Sequence, residues 1–211
     1  MAKIDELAKA VENGKSKIAA QLAQEAIDEG SKASEVLNAM VEAMGVVGDK
    51  FSAGEIFVPE MLVAAKAMKK GMEVINPLLK GSDAQSYGKC IIGTVKGDLH
   101  DIGKNLVSTM IGAAGFDMID LGVDVPIEKF KEAIDANPDV KVVALSALLT
   151  STMQSLADTT EALKEYRAKY GFKIMVGGAP ITQAFADEVG ADGYSVDAGA
   201  AAVLAKELAT K

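Results

Sequence analysis

The sequence predicts an α/β protein in which a bundle of helices precedes an open parallel sheet, because the periodicity of its apolar residues changes once along the chain. From residue 1 to about residue 80, apolar residues recur every three or four positions, which is typical of helices. A polar, glycine-bounded stretch at 81–88 follows, and beyond it short apolar runs alternate with helical segments. This change predicts two domains, 1–83 and 88–211.

The first half predicts a small antiparallel bundle of four helices. Glycines at 14 and 30 separate the early helices, and a break at Ser52-Ala53-Gly54 ends the third. Pro59 falls where the first turn of a helix tolerates proline. Short connections between amphipathic helices favour a bundle. The helices are predicted at 3–13, 15–29, 31–50 and 57–80.

The second half predicts a five-stranded parallel sheet. The strands are predicted at K-C-I-I-G-T-V, F-D-M-I-D-L-G, V-K-V-V-A-L-S, F-K-I-M-V-G-G and G-Y-S-V, and helices at 103–115, 126–137, 152–170, 181–190 and 197–209. Alternation of this kind favours helices on both faces of the sheet, in a Rossmann-like (flavodoxin-like) architecture. Ligands bind such sheets at the carboxyl ends of the strands, at the topological switch point. His100, Ser146 and Gly177-Gly178 follow or end strands, so we expect them at one edge.

Composition narrows the function classes. The net charge of −8 argues against nucleic acid or an anionic membrane as a partner. The sequence lacks the roughly 20 continuous apolar residues of a membrane span, and its first ten residues do not resemble a secretory signal. Cys90 is the only cysteine and lies in an apolar run, which predicts a buried side chain and a reducing, cytoplasmic location.

The loop after the first predicted strand carries the only histidine of the chain, His100, in D-L-H-D-I-G. Residues two apart in irregular chain can point the same way, so Asp98 can reach one ring nitrogen. That contact would fix the tautomer and make the other nitrogen a better metal ligand. The chain offers no second histidine and no cysteine pair, which argues against a zinc site built from several protein ligands. A metal held by His100 would bring its other ligands with it, as haem or a corrin does.

Simpler interpretations exist for most of these residues. A lone histidine on such a loop is by default a surface or hydrogen-bonded residue. Glycine pairs form ordinary strand-to-helix turns, and hydroxyl residues cap helices. The residues concerned are Gly177 and Gly178 as turn residues, Ser146 and Thr150 as helix caps, Lys96 and Lys104 as solvated cations open to a phosphate contact, and Asp120, Asp124 and Asp139 as turn and surface residues.

Three motifs together resemble the D-x-H-x-x-G … S-x-L … G-G signature of cobalamin-binding domains. They are D-L-H-D-I-G at 98–103, S-A-L at 146–148 and G-G at 177–178. Forty-two residues separate the first motif from the second, and 28 separate the second from the third, spacings that fit that family. The segment V-G-D-K-F-S-A-G-E-I-F-V-P-E-M at 47–61 is similar to the helical cap of methionine synthase and of small corrinoid proteins of one-carbon metabolism. The resemblance covers nearly the whole chain.

The resemblance implies a bound cobalamin or related corrinoid in the His-on form. Its lower base would leave the cobalt and enter a slot beside the sheet, and His100 would replace that base as the metal ligand. The hydroxyl of Thr152, where methionine synthase has serine, would complete a relay with Asp98. The residues implied to contact the cofactor are Gly97, Asp98, Leu99, His100, Asp101, Ile102, Gly103, Ser146, Leu148, Thr150, Gly177 and Gly178, with Phe51, Val58 and Met61 covering its upper face.

The resemblance also implies the role of a carrier subunit that is not catalytic by itself. A substrate-specific methyltransferase would place a methyl group on Co(I), and a methyl-accepting methyltransferase would move it from methyl-Co(III) to tetrahydrofolate or coenzyme M. A reductive activase would be a third partner. The methyl donor stays open among methylamines, betaines, methanol and methoxylated aromatics, with a methylamine or betaine favoured.

Three alternatives remain. A cobalamin-dependent sensor uses the same pair of domains but usually adds a basic DNA-binding segment, which the sequence lacks. The small subunit of an adenosylcobalamin mutase is disfavoured by the methyl-type cap. A flavodoxin-like or receiver domain without cobalt is the least specific alternative.

Overall fold

A computed structural model of the chain describes residues 3–79 and 87–210, and in it four helices precede a five-stranded parallel sheet. The chain divides into two compact units, of which the first holds the four helices and the second holds the sheet. The predicted fold class is confirmed. Residues 81–86 of the predicted linker lie outside the described residues, so the domain boundaries at 83 and 88 stay a prediction.

The helices of the first unit match the four predicted ones closely. They are α1 (Lys3–Glu12), α2 (Ser16–Asp28), α3 (Ala33–Ser52) and α4 (Val58–Leu79). Gly14 joins the first two with a φ of +66°, and a Cβ there would lie 2.4 Å from a methyl group of Val63. Glycine therefore satisfies both the left-handed backbone and the close approach. None of the helices within the described ranges is long and apolar enough to cross a membrane.

The second unit alternates strands and helices as predicted. Its elements are β1 (Lys89–Thr94), α5 (Ile102–Ala113), β2 (Asp117–Asp120), α6 (Ile127–Ala136), β3 (Val140–Ser146), a 3₁₀ turn (Thr150–Thr152), α7 (Met153–Ala162), α8 (Lys164–Tyr170), β4 (Lys173–Gly177), α9 (Gln183–Val189), β5 (Gly193–Tyr194) and α10 (Ala198–Thr210). The strand order is β2-β1-β3-β4-β5, all parallel. After β1 the chain adds β2 on one side and then β3, β4 and β5 on the other, so the topological switch point lies between β1 and β3.

Both faces of the sheet are buried, which explains its nearly continuous apolar strands. In β1, Ile91 faces one apolar cluster while Cys90 and Ile92 face the other. In β3, Val143 and Val142 alternate in the same way. The thiol of Cys90 is fully buried, as the sequence predicts, and this burial raises its pKa to about 12.

The single helix predicted at 152–170 is wrong in detail. Its first residue, Thr152, ends the 3₁₀ turn, and the helix is interrupted at Leu163, where φ is −90° and ψ is −4°. Main-chain bonds continue on both sides, from the Leu163 amide to Thr159 and from the Arg167 amide to Leu163. The interruption is therefore a bend in one helical segment, at a leucine that is fully buried in the core.

The register of the sheet brings the three motifs together. Thr94 at the end of β1 pairs with Ser146 at the end of β3, and Ser146 pairs with Gly177 at the end of β4. The loops that follow these residues leave the sheet side by side. Thr94, Ser146 and Gly177 thus form a single row, and the loop that carries His100 begins after the first of them.

Candidate functional site

Asp98 is the residue around which the site is built. Its side chain is fully buried, and both carboxylate oxygens are occupied. Oδ1 accepts hydrogen bonds from Nδ1 of His100 at 2.7 Å and from the His100 amide at 3.1 Å. Oδ2 accepts bonds from the amides of Leu148 at 2.7 Å and Leu149 at 3.3 Å, and from the hydroxyl of Thr152 at 2.7 Å. The contact that the D-x-H spacing predicts is present.

This environment keeps the Asp98 carboxyl ionised. Burial by itself would raise its pKa, but the bonds donated by the Leu148 amide, the Thr152 hydroxyl and the amide and ring of His100 hold the pKa well below its usual range. An ionised carboxylate only accepts hydrogen bonds, so Nδ1 of the ring carries a proton where it faces Asp98. In the neutral imidazole, Nε2 is then the nitrogen with a free lone pair, which is the arrangement of a metal-ligating histidine with a carboxylate behind it.

His100 is held by its main chain as well as by its ring. The Thr94 hydroxyl donates to the His100 carbonyl at 2.9 Å, while Asp98 accepts from the amide. The side chain is nevertheless 48% exposed. Within residues 3–79 and 87–210, Nε2 has no hydrogen-bond partner. A fixed imidazole therefore presents a free nitrogen at the surface of this unit.

Exposed apolar side chains lie in or next to the two loops that carry His100 and the residues that bind Asp98. Leu99 is 73% exposed, Ile102 is 84% exposed, and Leu148 and Leu149 are each about 40% exposed. Exposed apolar side chains near a free polar group are typical of a ligand surface. A Cβ placed on Gly103 would meet no atom within 4 Å, so folding does not require this glycine to lack a side chain. The surface can accept a flat, largely apolar ligand.

The other glycines of the motifs differ from Gly103 in why the fold requires or tolerates glycine at their positions. Gly97 has a φ of +86°, which favours glycine, in the turn that leads to Asp98. A Cβ on Gly178, whose φ is +130°, would lie 1.8 Å from the carbonyl oxygen of Ala147. The close backbone approach at Gly178 is thus made by the protein itself, which favours the turn interpretation. A Cβ on Gly177 would make an ordinary contact, 3.6 Å from the Ser195 carbonyl.

Two hydroxyl residues of this edge do not serve as helix caps. The 3₁₀ turn that starts at Thr150 has Leu149 at its cap position, with no side-chain bond. Within the described part of the chain, the hydroxyls of Ser146 and Thr150 have no hydrogen-bond partner. The cap interpretation is therefore wrong for both, and these hydroxyls are free to bind a ligand.

The prediction for Lys104 is also wrong. Lys104 is buried, 4% exposed, and its Nζ pairs with Oδ2 of Asp120 at 2.5 Å. Burying an ammonium group is tolerated only with such a partner. Lys96 is exposed as predicted. Asp139 is on the surface and pairs with Lys89 at 2.9 Å. This pair lies at the amino ends of β1 and β3, opposite to the carboxyl ends where the motifs meet.

The predicted cap residues lie in the first unit. Phe51 is half-buried near the end of α3, Val58 is 39% exposed at the start of α4, and Met61 is fully buried in the first turn of α4. Their contact with a corrin stays a prediction.

Protein side chains do not complete a metal site here. Over residues 3–79 and 87–210, no three histidine, cysteine, aspartate or glutamate side chains are grouped so that they could hold a metal ion. A metal bound through His100 would therefore need ligands beyond those that the described side chains supply.

Two protein-family models, both described as a B12 binding domain, match residues 3–76 and 88–205. A corrinoid protein of Desulfitobacterium hafniense strain Y51 is 40% identical over 100% of this chain and 99% of its own length. The chain belongs to the B12-binding corrinoid proteins of methyltransferase systems. The alternative of a receiver-like domain without cobalt is therefore wrong.

Relatives of this corrinoid protein include proteins for different methylated amines. A dimethylamine corrinoid protein of Methanosarcina acetivorans is 45% identical over 80% of this chain and 79% of its own length. A trimethylamine corrinoid protein of the same organism is 43% identical over 86% of this chain and 85% of its own length.

Solved structures show the same fold. A cobalamin-binding protein from Desulfitobacterium hafniense DCB-2 has a TM-score of 0.81 at 28% identity, over 97% of this chain and 98% of that one. A chain of the methanol:cobalamin methyltransferase complex from Methanosarcina barkeri has a TM-score of 0.82 at 29% identity, over 99% of this chain and 80% of that one.

Three residues of the site could not be assigned from the sequence. Thr94 and Leu149 bond to the His100 carbonyl and to Asp98 respectively, and Asp124 accepts a bond from the Gly97 amide at 2.7 Å. A threonine at the end of the strand before the motif is the one local signal. The partner of Asp124 is 27 residues away, so only the fold reveals it.

Proposed function

We propose that this corrinoid protein binds its cofactor with Nε2 of His100 as the lower axial ligand of cobalt, and that it carries a methyl group between two methyltransferases. The observation that carries the first part is the Nε2 of His100, which has no partner among the described residues while the buried carboxylate of Asp98 holds Nδ1 of the same ring. When bound, the corrinoid supplies a cobalt centre that can accept and release a methyl group.

The residues present fit a corrin held in this way. A corrin would bring its own ring ligands to the cobalt, so one histidine would be enough where the described residues offer no cluster of metal ligands. Leu99, Ile102 and Leu148 offer apolar contacts for the ring, and Gly103 leaves space for its approach. Asp98 keeps Nδ1 protonated and Nε2 available, and Thr152 in turn holds Asp98. The free hydroxyls of Ser146 and Thr150 suit the polar nucleotide tail.

Electron paramagnetic resonance of the Co(II) form tests the ligand directly. The protein is loaded with hydroxocobalamin, reduced to Co(II), and prepared once with natural histidine and once with ¹⁵N-histidine. Because His100 is the only histidine, a nitrogen splitting that changes from a triplet to a doublet on labelling assigns the axial nitrogen to this residue.

The same spectra contain their own control. The lower base of cobalamin also has a nitrogen, but its triplet would persist when only histidine is labelled. We expect the His100→Gly variant to lose the histidine splitting while retaining part of its corrinoid binding, which the remaining contacts support. A triplet that is unaffected by labelling in the unsubstituted protein would refute the His-on assignment.

The carrier role rests on the relatives. Relatives at 43–45% identity are corrinoid proteins for dimethylamine and trimethylamine, and one structural relative comes from a methyltransferase complex. We therefore infer a methylamine as the donor class. The inferred partners are a substrate-specific methyltransferase, a methyl-accepting methyltransferase and a reductive activase.

Methyl transfer to the reduced protein tests this role. The loaded Co(I) protein is mixed with monomethylamine, dimethylamine or trimethylamine and the matching purified methyltransferase, and the visible spectrum is followed. We expect one pair to convert the Co(I) spectrum to that of a methylated corrinoid, with methanol and its methyltransferase as the comparison. Conversion by methanol and by none of the amines would overturn the donor class.

A further inference from the structure

Asp124 has a backbone conformation that calls for an explanation. It lies in the loop between β2 and α6, with a φ of +52°, and in the described part of the chain no other non-glycine residue has a positive φ. This left-handed conformation is unfavourable for side chains with a Cβ, although aspartate and asparagine tolerate it better than most. Such a conformation persists when surrounding bonds hold it.

The bonds that hold Asp124 lead to the histidine loop. Its Oδ1 accepts the amide of Gly97 at 2.7 Å, and its own amide donates to the carbonyl of Asp98 at 2.9 Å. Asp124 thus forms hydrogen bonds to the loop at both ends of the Gly97–Asp98 pair. Beside this contact, the Val125 amide donates to the Thr94 carbonyl at 3.0 Å, which continues the pairing of β1 with the chain after β2.

The backbone at Gly97 and Asp98, to which Asp124 is hydrogen-bonded, sets the direction of the Asp98 side chain. Gly97 turns the chain with a φ of +86°, and Asp98 then enters the buried position from which it binds the ring and amide of His100. Asp98 itself is bonded to Leu148 and Thr152, and Thr94 bonds the His100 carbonyl. Asp124 is the side chain that restrains the loop at Gly97, before these bonds begin.

We propose that Asp124 is a positioning residue for the axial histidine: by fixing the turn at Gly97 and Asp98, it holds His100 in a single orientation before a corrinoid binds. The consequence for cobalt rests on the proposed function, but the consequence for the unloaded protein does not. Asp124 touches neither the ring of His100 nor any group expected to contact cobalt, and it acts through Asp98.

Two substitutions separate the hydrogen bond from the backbone conformation. Asp124→Asn keeps an oxygen acceptor and tolerates the left-handed conformation. Asp124→Gly adopts that conformation freely but removes the acceptor of the Gly97 amide. Asp139→Asn is a matched control, since Asp139 is an exposed aspartate whose ion pair with Lys89 lies at the opposite edge of the sheet. Far-ultraviolet circular dichroism and urea unfolding verify that each variant is folded.

The first measurements use the full chain without corrinoid. We expect the Gly97 amide to exchange about tenfold or more faster with solvent in Asp124→Gly, the scale of a lost bond to a charged group, and to be restored toward the original rate in Asp124→Asn. We also expect the ¹⁵N signals of His100, the only histidine in the spectrum, to shift toward a mixture of tautomers in Asp124→Gly alone. Unchanged Gly97 exchange and unchanged His100 signals in this variant would overturn the proposal.

The second measurement uses hydroxocobalamin-loaded protein reduced to Co(II), with ¹⁵N-histidine. We expect the fraction of cobalt that shows the histidine doublet to fall in Asp124→Gly and to persist in Asp124→Asn and Asp139→Asn. An unchanged fraction in Asp124→Gly would overturn the step from Asp124 to the metal ligand. If the unsubstituted protein shows no histidine doublet, the proposed ligand role of His100 fails, while a changed His100 signal in unloaded Asp124→Gly still supports the positioning role.

Discussion

Asp98 connects two loops that are far apart in the sequence. It binds His100 two residues away, and it binds Leu148 and Thr152 from the loop after β3, 50 and 54 residues away. The nearby half of this arrangement follows from the D-x-H spacing. The distant half depends on β1 and β3 being neighbours, with Thr94 opposite Ser146.

At the residue scale, the hydroxyl of Thr152 can be tested by Thr152→Val, which keeps the shape of the side chain. Because the buried carboxylate loses a donor, we expect the free energy of unfolding of the unloaded protein to fall by about 1.5–3 kcal/mol. Urea unfolding at neutral pH measures this change through the midpoint at unchanged slope. Thr152→Ser keeps the hydroxyl and is the control. Equal stability of Thr152→Val and the unsubstituted protein would contradict the hydrogen bond to Asp98.

The sequence could not assign Lys104 at this scale. A lysine in a predicted helix is normally solvated, and the local sequence contains no sign of its partner. The carboxylate of Asp120 lies 16 residues away at the end of β2, and it receives Lys104 only because β2 lies beside β1. Burial of a charge depends on where the opposite charge is placed, which is a property of the fold.

At the element scale, the loops at the carboxyl ends of the strands combine glycines that the fold needs with one that it does not. Gly97 and Gly178 have positive φ values, whereas Gly103 lies in the first turn of α5 with open space where a Cβ would be. The motif pattern cannot distinguish a glycine required by its backbone conformation from one with open space around it, because the sequence shows glycine in both cases.

Alanine substitutions distinguish a glycine that the fold requires from one that it does not. We expect Gly178→Ala to unfold the protein or lower its melting temperature strongly, because the new Cβ would meet the Ala147 carbonyl and the φ of +130° is strained for alanine. Gly103→Ala should leave the stability of the unloaded protein unchanged or raise it by up to about 1 kcal/mol, since alanine favours a helix. Thermal unfolding followed by circular dichroism measures both. A melting temperature for Gly178→Ala equal to that of Gly103→Ala would contradict this assignment.

The bend at Leu163 shows another limit at this scale. Residues 152–170 contain no proline or glycine, so the sequence predicts one helix. Leu163, where the bend occurs, is fully buried in the core cluster on one face of the sheet. The residues of this segment contain no local signal for the bend, which only the structure reveals.

At the scale of the whole molecule, the two family matches end at residue 76 and begin again at residue 88. The polar, glycine-bounded composition of 81–88 predicts a linker between them. Loop and linker residues are preferred sites of proteolysis.

Limited proteolysis tests the boundary. We expect trypsin to cut first after Lys80, which gives fragments 1–80 and 81–211 that mass spectrometry identifies. Lys80→Gln should slow this first cut and leave later cuts unchanged. A first cut inside one of the described helices or strands would contradict the predicted boundary.

By itself, the sequence determined the order of the elements, the parallel sheet, the edge where the three motifs meet and the pairing of Asp98 with His100. These properties depend on periodicity and on short spacings, which act locally along the chain. Only the tertiary structure decided that the amides of Leu148 and Leu149 also bind Asp98, that Lys104 is buried against Asp120 and that Asp124 holds the histidine loop. Those contacts join residues 16 to 51 positions apart, and the strand order of the sheet brings them together.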